Sequence, residues 1–123
     1  MFTYETYKLL HLVGLILVFL GFGGLLLGSR DADADAPPSR MAMILHGVGM
    51  LVMLVAGFGV LARMSISWSW PWPGWVFAKF GAWLLIGALP VLYKRRLVPP
   101  IVVLVIAIAI GVTAAWIAIN KPF

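Results

Sequence analysis

The chain of 123 residues has no cysteine, only four acidic residues, and just 11% charged residues in all. Without thiols there can be no disulfide, thiolate-bound zinc or iron–sulfur cluster, so any metal must rely on His, Met or oxygen donors. The scarcity of charge, with 63% hydrophobic residues and a mean hydropathy of +1.08, excludes an ordinary soluble domain. No base-reading module is visible. The nine Lys and Arg residues, which leave a net charge of +5, are spread over loops and helix ends. That distribution suits anionic lipid headgroups and not nucleic acid. The expectation is an all-α integral membrane protein, a four-helix antiparallel bundle in a single domain over residues 1–123.

What is present in quantity is apolar sequence. A spanning helix takes about 20 residues, and four such stretches fill nearly the whole chain, at about 7–28, 40–63, 74–93 and 100–119. The first follows Glu5 without a small-residue cleavage site, so it is expected to stay rather than act as a removable signal. The segment "GSRDADADAPPSR" reads as a solvated turn after the first span. In "MSISWSWPWPGW", Trp68, Trp70, Trp72 and Trp75 form an aromatic belt at a membrane surface, while Pro71 and Pro73 interrupt helix. Pro90 is expected to kink the last turn of the third span. Four spans put both termini and the Trp-rich loop on one side. The other side holds Arg30, Arg40, Lys94, Arg95 and Arg96, against Lys8, Arg63, Lys121 and the marginal Lys79 on the first. The excess of basic residues marks the inner side, which places both termini outside.

His-x-Val-Gly occurs twice, at His11 and at His46, inside the first two spans. The two spans align from these histidines, matching Val13 with Val48, Gly14 with Gly49 and Gly24 with Gly59, a weak internal duplication. Consecutive spans run antiparallel. At 1.5 Å per residue across a core of about 30 Å, the two histidines therefore stand roughly 15 Å apart in depth. One haem iron cannot take both from one subunit. A buried polar group in lipid faces the bundle or a cavity, so His11 is either an interhelical hydrogen-bonding residue or a cofactor or proton-handling group. His46 shares a helix face with Met43, Met50 and Met53, a stripe that either packs flexibly or passes Cu(I).

Gly14, Gly21 and Gly28 recur every seven residues and make a groove for a neighbouring helix or, alternatively, for a flat ring. Lys79 either snorkels to the headgroups or joins Arg63 and His11 in a cationic pocket for carboxylates at the outer end. Asp31, Asp33 and Asp35 lack the turn glycine of a cation loop and read as a solvated turn.

Three stretches carry a resemblance: "YKLLHLVG" with His11, "WVFAKF" with Trp75 and Lys79, and the terminal "NKPF". In order and spacing the chain resembles the HemJ type of protoporphyrinogen oxidase and its wider group of small membrane proteins, including CopD-like and SirB-like families. The resemblance implies a four-helix membrane bundle in the bacterial inner membrane that binds haem b. It also implies oxidation of protoporphyrinogen IX to protoporphyrin IX, with electrons passing to quinone. His11 and Lys79 match the characteristic histidine and lysine and become the expected catalytic pair, with His11 the metal ligand. The expected cofactor site adds Gly14 and Gly21 for the porphyrin plate, Arg63 and Lys79 for its carboxylates, and Trp75. Two readings compete with this one: a non-enzymatic subunit of a larger membrane complex, and a copper permease relative. The expected partners are the lipid bilayer, porphyrin and quinone, with assembly as a homo-oligomer or within a larger complex.

Overall fold

The computed structural model describes residues 3–28, 40–64, 72–95 and 98–121. Among the described residues the regular elements are four α-helices: α1 Tyr4–Gly28, α2 Arg40–Ala62, α3 Gly74–Lys94 and α4 Pro100–Asn120. Each is long and apolar enough to cross a membrane. Arg30, Asp31, Asp33, Asp35, Trp68, Trp70 and Arg96 lie outside the described residues, as do Pro122 and Phe123.

The helix ends follow local chemistry. α1 begins at Tyr4 rather than the expected Tyr7 because Thr3 caps it. The Thr3 hydroxyl oxygen accepts from the Thr6 N–H at 3.2 Å, and the Thr3 carbonyl accepts from the Tyr7 N–H at 3.1 Å. Glu5 adds an anion to the first turn, where the helix dipole favours it. α3 and α4 each start directly after a proline, Pro73 and Pro99, and α4 has Pro100 as its first residue. Proline costs nothing there, since the first N–H groups of a helix have no acceptor within it. α3 continues through Pro90 to Lys94 and ends with the Arg95 N–H donating to the Val91 carbonyl at 2.9 Å. α4 stops at Lys121, which adopts the left-handed conformation (φ 45°) and donates its N–H to the Ile117 carbonyl at 2.8 Å.

The chain divides into two compact units, Met1–Trp70 and Pro71–Phe123. Unit 1 is the α1–α2 hairpin and unit 2 the α3–α4 hairpin.

In unit 1 the helices touch through missing side chains. A Cβ on Gly14 would lie 2.7 Å from the Met53 amide nitrogen, and one on Gly49 would lie 2.6 Å from that of Val18. A Cβ on Gly21 would lie 2.7 Å from the His46 amide nitrogen, and one on Gly24 would lie 3.0 Å from the Ala42 Cβ. Gly59 is covered by the Tyr7 ring. These contacts come in mirrored pairs. Moving 35 positions along the chain turns Gly14 into Gly49, Val18 into Met53, Tyr7 into Ala42 and Gly24 into Gly59. The Gly14–Met53 approach and the Gly49–Val18 approach are thus one contact seen from two ends, and so are Gly24–Ala42 and Gly59–Tyr7. The duplication legible in the sequence is a local two-fold in the hairpin, centred at the level of Ile16 and Leu51.

Val18, Phe22 and Leu25 on α1 and Ala42, Met50, Ala56 and Leu61 on α2 are buried. In hydrocarbon such burial contributes little by itself, because lipid tails are as apolar as leucine. Close van der Waals approach of backbones is what holds helices together there. In unit 2, Ile86, Leu89, Val103 and Ala107 are buried, whereas Ile101, Val112 and Ile119 on α4 are 65%, 64% and 78% exposed. An apolar surface this open is matched to lipid or to another apolar partner.

Candidate functional site

His11 lies on α1 one turn after Tyr7 and reaches across to α2. Its Nδ1 is 3.0 Å from the carbonyl oxygen of Met53. A carbonyl can only accept, so Nδ1 carries the proton in this bond, and in the neutral ring the lone pair resides on Nε2. In metal sites a histidine is commonly oriented in this way, by a bond from one ring nitrogen to a carbonyl. Beside the ring stands Gly57, where a Cβ would lie 3.4 Å from both Cε1 and Nδ1, at ordinary contact distance. His11 is half-buried.

His46 occupies the equivalent place at the other end of the hairpin. It is 5% exposed, and its ring meets Phe22 edge to face at 4.7 Å between centroids and an interplanar angle of 79°. Its Nε2 is sealed from solvent. His11 is level with Met53 and Gly57, while His46 is level with Gly21. At 1.5 Å per residue the two rings are therefore about 15 Å apart along the helices, as the antiparallel reading expects. They do not converge on one ion. Among the described residues there is no group of three His, Cys, Asp or Glu able to hold a metal.

Two expectations change. The channel of Gly14 and Gly21, open in the sequence reading to a helix or a flat ring, is filled by the α2 backbone at Met53, Gly49 and His46. Gly14 and Gly21 are thus packing residues within unit 1. The stripe of Met43, His46, Met50 and Met53 is partly spent on the same interface: Met50 and His46 are buried, and the Met53 Cγ lies 2.8 Å from where a Gly14 Cβ would be. Methionine serves there as an adaptable filler for a narrow gap.

Arg63 follows the end of α2, exposed, with its N–H donating to the Val60 carbonyl at 3.1 Å. In unit 2, Lys79 lies one turn after Trp75 on α3 and is half-buried. The ammonium of Lys121 sits 5.4 Å from the centre of the Trp75 ring and donates to the Ala118 carbonyl at 2.9 Å. That cation–π contact ties the start of α3 to the end of α4. Lys121 is thus a residue that site reasoning from the sequence missed. Its signal was present, since a lysine directly after a helix has a chain of carbonyls within reach. His11 and Arg63 belong to unit 1, and Trp75, Lys79 and Lys121 to unit 2. Unit 2 also carries an open apolar groove along α3 and α4, lined by Ala78, Gly81, Ala82, Ala88, Ala109 and Ala114 among others.

Comparison with protein-family models, with curated proteins and with solved structures gave no match.

Proposed function

We propose that the chain is a multi-pass membrane protein of the HemJ-like group whose four helices form one antiparallel bundle and which binds haem b through His11. One observation carries this reading: the Nδ1 bond of His11 to the Met53 carbonyl, which holds the imidazole of a half-buried spanning-helix histidine with Nε2 as its basic atom. His11 would be the one protein ligand to the haem iron. His46 lies too far along the helix to be the second. Haem, when bound, supplies reversible one-electron chemistry. The chain's own contribution is to fix the imidazole, to offer cations to the propionates, and to exclude water.

The resemblance assigns Arg63 and Lys79 to the carboxylates and Trp75 to the rim. The resemblance extends the reading to oxidation of protoporphyrinogen IX, with His11 and Lys79 as the catalytic pair and quinone as electron acceptor. It also implies a bacterial inner-membrane location, with both termini outside. The uncovered apolar surface of α4 favours a second reading, a subunit packed against a larger membrane complex.

A visible absorption spectrum of the detergent-purified protein, grown with haem supplementation, tests the first reading. A Soret band that is lost or shifted in His11→Ala and kept in His46→Ala supports it. A band that survives His11→Ala and disappears in His46→Ala refutes the site, and no band in any sample refutes haem binding.

A further inference from the structure

Unit 2 sets a cation at the mouth of an apolar groove. The packed part of the α3–α4 hairpin lies towards its turn, where Ile86, Leu89, Val103 and Ala107 are buried. From Ala88 on α3 and Ala109 on α4 towards the open end of the hairpin, small side chains leave a groove of about 770 Å³. Gly81 lines it, and a Cβ there would meet nothing within 4 Å. This glycine therefore differs from Gly14, Gly21 and Gly49, whose missing side chains admit a neighbouring backbone. Thr113 is the polar residue of the lining, and its hydroxyl donates to the Ala109 carbonyl at 2.7 Å, which leaves the groove apolar. The groove ends at Ala78 and Ile117, each about one turn from the pair that closes the hairpin, Trp75 and Lys121.

Charge gives the groove a direction. Unit 2 holds five of the nine basic residues and none of the four acidic ones, so the hairpin supplies no carboxylate side chain to Lys121. Of the three N–H donors of that exposed ammonium, one goes to the Ala118 carbonyl, and two remain for an acceptor from outside the hairpin. The Trp75 ring, 5.4 Å from the ammonium to its centre, holds the cation over the start of α3. We propose that unit 2 binds one anionic phospholipid, with an acyl chain in the groove and the phosphate on Lys121. The length fits, because Ala78 to Ala88 covers about 15 Å at 1.5 Å per residue, and one leaflet supplies half of a hydrocarbon core of about 30 Å. A lipid brings both parts at once, a chain for the apolar channel and an anion for the cation at its mouth, and basic sites between spanning helices recognise such headgroups. The site rests on the membrane part of the function proposed above and not on haem.

Full-length protein in mild detergent is incubated with phosphatidylglycerol or phosphatidylcholine carrying a diazirine in one acyl chain, irradiated, and the labelled residues are located by peptide mass spectrometry. Phosphatidylglycerol should label the groove residues of α3 and α4 at least tenfold more than phosphatidylcholine. Lys121→Gln should bring the two lipids level, and Lys121→Arg should keep the preference. Gly81→Leu should block labelling of the groove by either lipid, and Ala114→Val makes the same comparison with a smaller change in volume should that variant fail to fold. Equal labelling by the two lipids in the native protein, or a preference that survives Lys121→Gln, would overturn the proposal, as would groove labelling indifferent to both filling substitutions. Excess glycerol 3-phosphate should not compete; competition would make Lys121 a site for free phosphate and not for a lipid. A groove that neither lipid labels, together with a changed oligomeric state in Gly81→Leu, would assign it to a second copy of the chain instead. Extraction from the membrane fraction by detergent and not by carbonate tests the spanning reading by itself, so failure of the lipid site and failure of that reading are told apart.

Discussion

Replacing Gly49 by alanine adds one methyl group to a 123-residue chain, and the structure predicts that it is among the most damaging small changes in α2. The new Cβ would lie 2.6 Å from the Val18 amide nitrogen and 2.8 Å from the Gly14 carbonyl oxygen. Both are backbone atoms of α1 and cannot swing aside. To restore a tolerable 3.4 Å the helices must separate by about 0.8 Å, and a gap of that size forfeits roughly a quarter to a half of each contact's dispersion energy. Overpacking of this kind costs about 1–3 kcal/mol. The control is Gly47, on the same helix but with nothing within 4 Å of its Cβ direction. Gly47→Ala should gain about 0.5–1 kcal/mol from reduced chain entropy. The contrast between the two alanines is therefore about 1.5–4 kcal/mol. It can be read as the shift in the SDS mole fraction that unfolds the protein from mild detergent, followed by far-ultraviolet circular dichroism. The two-fold sharpens the prediction, because Gly14→Ala makes the mirrored clash with the Met53 nitrogen and should match Gly49→Ala. The double variant should cost less than their sum, since one separation relieves both clashes. If Gly49→Ala unfolds together with Gly47→Ala, the helices do not approach as described and the reasoning fails.

Three further outcomes follow from separate features. Thr3→Ala removes the oxygen that accepts the Thr6 N–H and should destabilise the first turn of α1 by about 1 kcal/mol, measured as faster amide exchange at Thr6 and Tyr7 with the rest of α1 unaffected. Lys79→Ala should weaken haem binding by about 1–3 kcal/mol, the range for losing a hydrogen bond to a charged group, in an equilibrium titration; unchanged affinity removes Lys79 from the site. For the topology, a thiol at Asp33→Cys and one at the C-terminus should be labelled from opposite sides of a sealed membrane, and labelling from the same side contradicts four spans.

The four helices were legible because hydrocarbon imposes a length: about 20 apolar residues between polar or proline-bearing segments leaves little freedom, and α2, α3 and α4 begin at the expected residues. The start of α1 was misjudged by reading hydropathy alone, since Thr3, Glu5 and Thr6 are polar and yet form the cap and first turn. The glycine stripe announced a close approach without naming what approaches. A helix and a flat ring both fit a row of missing Cβ atoms, and only the position of α2 decides between them at Gly14 and Gly21. Whether Lys79 meets His11 depends on how two hairpins come together, which no local pattern in either hairpin encodes.

The duplication held more than its matching residues disclosed. Aligning His11 with His46 drew attention to the glycines that agree, Gly14 with Gly49 and Gly24 with Gly59, and these turn out to build the shared backbone contact. The positions that disagree set what lies beside each histidine. Phe22 meets the His46 ring and Gly57 stands beside the His11 ring, each from the opposite helix, so nothing near either histidine in sequence reveals them. In an antiparallel repeat the neighbours of a residue in one copy come from the far end of the other.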